Sequence, residues 1–133
     1  MVIPRFVDQA LKGEDITVYG DGEQSRCFTF VGDAVRLVLK LMDTPEANGE
    51  VVNIGGGEEV TIKRLAERII ELTGSSSRIR YVPYEEAFPT GFEDIRRRVP
   101  DTRKLERLIG MRPTSSLDDI LHSIIEDRRA LLR

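Results

Sequence analysis

Hydrophobic residues recur at helical spacing along most of the chain, between residues that favour helix ends. The first run covers residues 2–11 and stops before Gly13. Thr61 is a suitable N-cap for a second amphipathic run, which Gly74 closes. The pattern predicts helices over residues 2–11, 33–42, 61–74 and 101–110, and a last helix that Ser116 opens.

Short runs of β-branched and aromatic residues predict strands over residues 16–19, 27–31, 51–54 and 78–82. Gly20-Asp21-Gly22 marks a turn, and residues 83–100 are predicted to form an irregular loop. Short strands alternating with helices predict an α/β (α+β) fold, with a small mixed sheet and about five helices. The length suits one domain over residues 1–133, and the sheet is too small for a complete doubly wound fold.

The predicted helix over residues 33–42 differs from the others because apolar residues lie on nearly all of its sides. These residues are Ala34, Val35, Leu37, Val38, Leu39, Leu41 and Met42. A helix that is apolar all round is usually buried. We therefore expect this helix to be buried on more than one face.

Charge and composition exclude several classes of protein. The net charge of -3 argues against a nucleic-acid partner, since nucleic-acid-binding proteins usually carry a basic excess. No apolar run approaches the roughly 18 residues that span a bilayer. Arg5 and Asp8 interrupt the apolar N-terminus, which is therefore unlike a signal peptide. Because the single cysteine, Cys27, also suits a reducing compartment, we expect a cytoplasmic protein without membrane partners.

Two arginines are candidate ligands for a diphosphate. Arg26 lies at the start of the second predicted strand, and Arg98 lies two residues before Pro100. Guanidinium is always charged and offers paired N–H donors to phosphate oxygens. Taken alone, each arginine is also well explained as a solvated surface charge, and Arg98 ends a basic run that offsets nearby acidic residues.

Several segments together resemble the substrate half of the extended short-chain dehydrogenase/reductases that act on nucleotide sugars. That family includes the epimerases, the 4,6-dehydratases and the UDP-glucuronate decarboxylases. The resemblance covers about residues 2–126. It is carried by Pro4-Arg5-Phe6, the stretch from Val18 to Val31, Asn53-Ile54-Gly55, Leu72-Thr73-Gly74 and Arg98-Val99-Pro100-Asp101.

The resemblance implies a substrate site. Arg26 and Arg98 match family arginines that approach the diphosphate of the substrate. Tyr19 matches an aromatic residue beside the nucleotide base, with Val18 next to it, and Asp101 matches a position that reaches the ribose hydroxyls in some members. Read alone, Tyr19 is a half-buried strand residue and Asp101 is an N-cap. We predict that Arg26 and Arg98 face a common pocket with Tyr19 on its wall.

The catalytic features of the family are missing from this chain. Family members begin with hydride transfer to NAD, using a tyrosine base and a lysine four residues later, and no such pair occurs. There is no dinucleotide fingerprint, and Glu58 and Glu59 would repel a pyrophosphate beside the glycines at 55–57. His122 and Cys27 have no reactive neighbour in sequence. We expect no catalytic residue, no metal site and no cofactor in this chain, with NAD bound only by the full-length family.

The sequence therefore predicts binding of the nucleotide diphosphate part of a UDP- or dTDP-sugar. The chain would be the substrate-binding portion of an NAD-dependent nucleotide-sugar epimerase/dehydratase and would be inactive alone. The alternative is a non-catalytic remnant, or a protein-interaction domain that no longer binds nucleotide sugar. We expect a homo-oligomer, and catalysis only with a Rossmann-domain partner chain. The sequence leaves open whether the chain is a natural truncation, a split-gene product or an engineered piece.

Overall fold

The chain divides into two units, each made of segments that are distant in sequence. The computed structural model describes residues 1–87, 89 and 94–131. Unit 1 consists of Met1–Arg26, Val60–Arg97 and Leu121–Arg133, and unit 2 consists of Cys27–Glu59 and Arg98–Ile120. A single domain over residues 1–133 stays a prediction.

The described residues form six α-helices, five short strands and one 3-10 turn at Pro45–Ala47. The helices are α1 (Val2–Leu11), α2 (Val31–Met42), α3 (Ile62–Thr73), α4 (Tyr84–Ala87), α5 (Arg103–Ile109) and α6 (Leu117–Leu131). The strands are β1 (Ile16–Tyr19), β2 (Ser25–Cys27), β3 (Glu59–Thr61), β4 (Ile79–Val82) and β5 (Arg97–Arg98). The predicted α/β class is confirmed. The strands form two sheets, however, one with the order β1-β4 and one with the order β3-β2-β5.

In unit 1, helices α1 and α3 pack on each other and on β1. Strand β4 runs parallel to β1, so that Ile16 pairs with Ile79 and Tyr19 pairs with Val82. Helical spacing places one face of each helix in the core, and each large apolar side chain buried there contributes about 1.5–3 kcal/mol. The buried side chains of these three elements are Ile3, Phe6, Val7, Ala10, Ile16, Val18, Ile62, Leu65, Ala66 and Ile69.

Both ends of α3 lie where the sequence predicted them. The side chain of Thr61 accepts a hydrogen bond from the backbone N–H of Arg64 at 3.1 Å. At the other end, Gly74 adopts a left-handed conformation with φ of 65°. An N-cap hydroxyl and a left-handed glycine satisfy backbone groups that the helix itself leaves unpaired. These local signals are sufficient to set the length of the helix.

The predicted turn between β1 and β2 is confirmed, and its first glycine is required sterically. Gly20 has φ of 69°, and a Cβ added there would lie 2.4 Å from Cε2 of Tyr84. Positive φ is strained for residues with a side chain. The turn therefore brings the aromatic ring of Tyr84 against the backbone that leads to β2.

Unit 2 contains α2, the 3-10 turn and α5, and it has a small apolar core. Among the described residues of this unit, the buried apolar side chains are Leu37, Leu105 and Ile120. A buried acid adds to the packing of α2: the Asp33 carboxylate accepts hydrogen bonds from the backbone N–H groups of Thr114 and Ser115, at 3.0 and 2.9 Å. This carboxylate thereby fixes the segment that precedes α6.

Two predicted strands are wrong. Residues 51–54 form no strand, and β3 lies at Glu59–Thr61 instead. Residues 27–31 also do not form one strand, because β2 ends at Cys27 and α2 already begins at Val31. The loop predicted over residues 83–100 contains α4 and β5. Apolar β-branched residues favour a strand, but a strand also needs a backbone partner, which local sequence does not reveal.

The expected burial of the helix over residues 33–42 is wrong for most of its apolar residues. The exposed fractions are 53% for Val35, 43% for Val38 and 55% for Leu39. Only Asp33 and Leu37 of α2 are buried in the described structure. In the part of the chain that the structure describes, no helix is long and apolar enough to cross a membrane.

Candidate functional site

Arg26, on β2, is held firmly within unit 1. Its Nη1 donates to the carbonyl oxygens of Ser25 and Ile95, both at 2.7 Å. Its Nη2 donates to Oδ1 of Asp94, also at 2.7 Å, and the side chain is only 17% exposed. A solvated surface arginine would be mobile and largely exposed. The surroundings of Arg26 instead fix its guanidinium in one place.

Asp94 connects Arg26 to an aromatic side chain. The other carboxylate oxygen of Asp94, Oδ2, accepts a hydrogen bond from the phenol of Tyr84 at 3.1 Å. Burial, followed by the hydrogen bond to Asp94, raises the pKa of the Tyr84 phenol to about 12. Tyr84 therefore remains a neutral hydrogen-bond donor throughout the physiological pH range.

Tyr19 and Val18 occupy different environments on β1. The side chain of Val18 is fully buried. The ring of Tyr19 is half-buried, and the guanidinium of Arg5 lies 4.4 Å from the centre of this ring. Nη2 of Arg5 also donates to the carbonyl of Thr17 at 3.0 Å. A guanidinium over an aromatic face is a cation–π contact, so the predicted base-contacting ring is itself supported by a cation.

A second ion pair closes the turn between β1 and β2. Arg96 donates to both carboxylate oxygens of Asp21, at 2.9 and 2.7 Å. Its hydrogen bond is the main cause that lowers the pKa of Asp21. Both side chains are exposed, so the pair adds little to stability. It does couple the turn to the segment that precedes β5.

The two predicted site residues of unit 2, Arg98 and Asp101, differ in whether their side chains are paired. Arg98 lies on β5 and is exposed, and its side chain has no hydrogen bond or ion pair with any other described residue. The carboxylate of Asp101 is bound by the guanidinium of Arg103, which lowers the pKa of Asp101 to about 2. Asp101 also accepts from the backbone N–H of Arg103 at 3.1 Å. The prediction that Asp101 is the N-cap is wrong, however, because Thr102 occupies that position before α5.

The structure therefore joins Arg26 to residues that the sequence did not single out. Asp94 and Tyr84 lie in the segment predicted as an irregular loop, in which acidic and aromatic residues are followed by a basic run. Arg26, Tyr19 and Val18 belong to unit 1, whereas Arg98 and Asp101 belong to unit 2. The common pocket of Arg26 and Arg98 stays a prediction.

Unit 2 also contains an open groove of about 350 Å³ between the end of α2 and residues 47–54. Its apolar lining includes Val38, Met42 and Ile54, and Glu50 adds one acidic side chain. Glu50 is itself paired with Lys104. Among the described residues, no three metal-binding side chains are grouped so that they could hold an ion.

Comparison with known proteins identifies the relatives of this chain. Residues 1–55 match the family described as "NAD dependent epimerase/dehydratase family". A UDP-N-acetyl-alpha-D-glucosaminuronate decarboxylase from Bacillus cytotoxicus is 46% identical over 125 residues. This alignment covers 94% of the chain and 39% of the relative. The chain thus spans about two fifths of the length of this curated relative.

Solved structures show the same relationship. UDP-glucose 4-epimerase from Thermotoga maritima, with UDP-glucose, has a TM-score of 0.87 and 32% identity, covering 100% of this chain and 40% of that protein. UDP-glucuronic acid 4-epimerase from Bacillus cereus, in complex with UDP-glucuronic acid and NAD, also has a TM-score of 0.87. It is 27% identical, with 98% of this chain and 40% of that protein covered. The chain belongs to the NAD-dependent epimerase/dehydratase family and corresponds to a C-terminal part of its members.

Proposed function

We propose that this chain binds the nucleotide diphosphate part of a UDP- or dTDP-sugar and contributes the substrate-binding portion of an NAD-dependent enzyme. The observation that carries the proposal is the burial and fixed position of the Arg26 guanidinium. Its guanidinium is mostly buried and anchored by two carbonyls, which argues against a solvated surface charge. An anchored guanidinium is suited to hold a phosphate oxygen, because its donors are already oriented.

The two arginines would share the charge of the diphosphate. A hydrogen bond between a charged group and phosphate contributes about 1.5–3 kcal/mol. Arg98 supports this role because its guanidinium is exposed and has no partner among the described residues. Asp101 is less suited to a ribose hydroxyl in its present state, since Arg103 already binds its carboxylate.

Tyr19 would lie beside the base. Stacking of a base on an aromatic ring is worth roughly 1–3 kcal/mol. Arg5 already covers the ring of Tyr19 at 4.4 Å, so the base would use the remaining ring surface. The side chain of Val18 is fully buried, so we assign it the role of supporting Tyr19 rather than contacting the ligand.

Uridine nucleotides are the first probes to use, because the relatives compared above are named for UDP-linked sugars. NAD supplies hydride transfer when it is bound in full-length members. The sequence lacks both the dinucleotide loop and the Tyr-x-x-x-Lys pair, so we assign no catalytic step to this chain. Purified alone, it is expected to carry no NAD and to leave UDP-sugars unchanged, as chromatography of the protein extract and of the reaction would show.

Titration of the purified chain with UDP tests the proposal by calorimetry. We expect saturable binding at millimolar concentration or tighter, and weaker binding of uridine, which lacks the phosphates. If UDP at ten millimolar produces no more heat than dilution, the chain is better explained as a remnant or a protein-interaction domain.

We also propose that the exposed apolar surface of unit 2 is covered in solution by a second copy of the chain or by a Rossmann-domain partner. Few apolar side chains of this unit are buried, whereas several are exposed, and proteins rarely leave such patches open. The exposed ones are Val31, Val35, Val38, Leu39, Met42, Val51 and Val99. We expect light scattering at low micromolar concentration to give a dimer or larger species. A monomer of 15.1 kDa would contradict the self-association.

A further inference from the structure

We propose that Asp94 is a resident counter-anion of Arg26, which the diphosphate of a nucleotide must displace in order to bind fully. The inference rests on the proposed function and extends it to the control of affinity at the same site. Its basis is the geometry of three side chains of unit 1, those of Arg26, Asp94 and Tyr84.

The donors of Arg26 are largely occupied. A guanidinium has five N–H groups. Both N–H groups of Nη1 are directed at carbonyl oxygens, those of Ser25 and Ile95, and Nη2 donates to Asp94 at 2.7 Å. A diphosphate would therefore find at most two of the five donors available. If the carboxylate moved away, Nη2 would regain a donor and the cation would lose its counter-charge.

Asp94 is the exchangeable partner of the three. The carbonyl oxygens of Ser25, on β2, and of Ile95, two residues before β5, belong to the backbone and cannot rotate away as a side chain can. The carboxylate of Asp94 is carried by a side chain, which can rotate. It is 24% exposed, so water or a ligand can reach it. The Tyr84 phenol holds its second oxygen at 3.1 Å and opposes this rotation.

The negative charge of Asp94 is expected to lower the affinity of Arg26 for phosphate. Carboxylate and phosphate are both anions, so they compete for the same cation and repel one another. A partly exposed ion pair contributes about 0.2–1 kcal/mol, which a nucleotide can overcome through its base and its second phosphate. A free anion has no such additional contacts. Asp94 would therefore favour nucleotide diphosphates over inorganic anions.

The experiment is a titration of the purified chain and its variants with UDP and with uridine. Asp94→Asn keeps the shape and removes the charge, and we expect UDP to bind up to about fivefold more tightly with uridine unchanged. Tyr84→Phe keeps the ring against Gly20 and removes the donor, so we expect a smaller gain in UDP affinity. Asp15→Asn is the matched control, because Asp15 is exposed and the variant changes the net charge equally.

The outcomes separate the inference from the proposed function. If UDP binds wild type but Asp94→Asn binds it equally or less tightly, Asp94 is not a competitor and only the inference is overturned. An equal gain in Asp15→Asn, or a gain that persists when Arg26 is also replaced by alanine, likewise overturns it. If neither the wild type nor Asp94→Asn binds UDP, the proposed function fails and the inference fails with it.

Discussion

Alanine at both Arg26 and Arg98 is expected to weaken the binding of UDP by a factor on the order of 10² to 10⁴. Each arginine would lose one charged hydrogen bond to phosphate, worth about 1.5–3 kcal/mol, and independent losses add. For Arg26 the loss has a second part, because Asp94 would remain without its cation beside the incoming phosphate. Titration calorimetry of the two single variants and the double variant measures these effects.

Controls for this experiment exist in both units. Arg80 lies exposed on β4 in unit 1, and Arg107 lies exposed on α5 in unit 2. Alanine at either position removes the same charge, so each control variant should retain the UDP affinity of the wild type. Arg26→Lys keeps the charge but loses the fork of donors, and we expect an intermediate affinity. Equal UDP affinity in the wild type and in the double variant would identify both arginines as structural or surface charges.

Asp33→Asn is expected to destabilise the fold by about 2–4 kcal/mol at neutral pH. The carboxylate is nearly buried, with a side-chain exposure of 6%. It accepts from Arg36 at 2.7 Å and from the backbone N–H groups of Thr114 and Ser115. Both backbone N–H groups bind Oδ2, whereas Arg36 binds Oδ1. An amide has one acceptor oxygen, so its NH2 group would face either Arg36 or the two backbone N–H groups. At least one of these donors would then be left without a partner.

The same contacts predict how stability depends on pH. The hydrogen bond from Arg36, followed by those from Ser115 and Thr114, holds the pKa of Asp33 well below its usual range. The unfolded chain has an Asp pKa of about 3.9. A pKa depressed by folding stabilises the protein above the unfolded value, and this stability is lost as pH falls toward the folded pKa. The advantage of the wild type over Asp33→Asn should therefore be full at pH 7 and shrink below about pH 4.

Urea unfolding of both proteins at pH 7 and at pH 3 provides this comparison. Asp43→Asn is a suitable control because Asp43 is exposed at the end of the same helix. We expect the control variant to have the stability of the wild type at both pH values. A difference between the wild type and Asp33→Asn that is the same at both pH values would show that the charge of Asp33 does not contribute.

Part of the candidate site was accessible from the sequence. The resemblance singled out Arg26, and the structure shows that its guanidinium is anchored rather than solvated. The resemblance gave no indication of Asp94 or Tyr84, which are separated from Arg26 by 68 and 58 positions. Hydrogen-bond partners at such separations depend on how the chain folds back on itself, and no local pattern contains them.

The sequence by itself determined those helices, strands and turns whose ends are marked by nearby residues. Helices α1 and α3, strand β1 and the turn at Gly20 follow from periodicity, caps and glycine, which act within a few residues. Tertiary structure alone decided the rest: that residues 51–54 have no strand partner, that several apolar side chains of α2 are exposed, and that Asp33 binds a segment 81 positions away. Strand pairing, burial and ion pairing require neighbours that are distant in sequence, so local propensity cannot specify them.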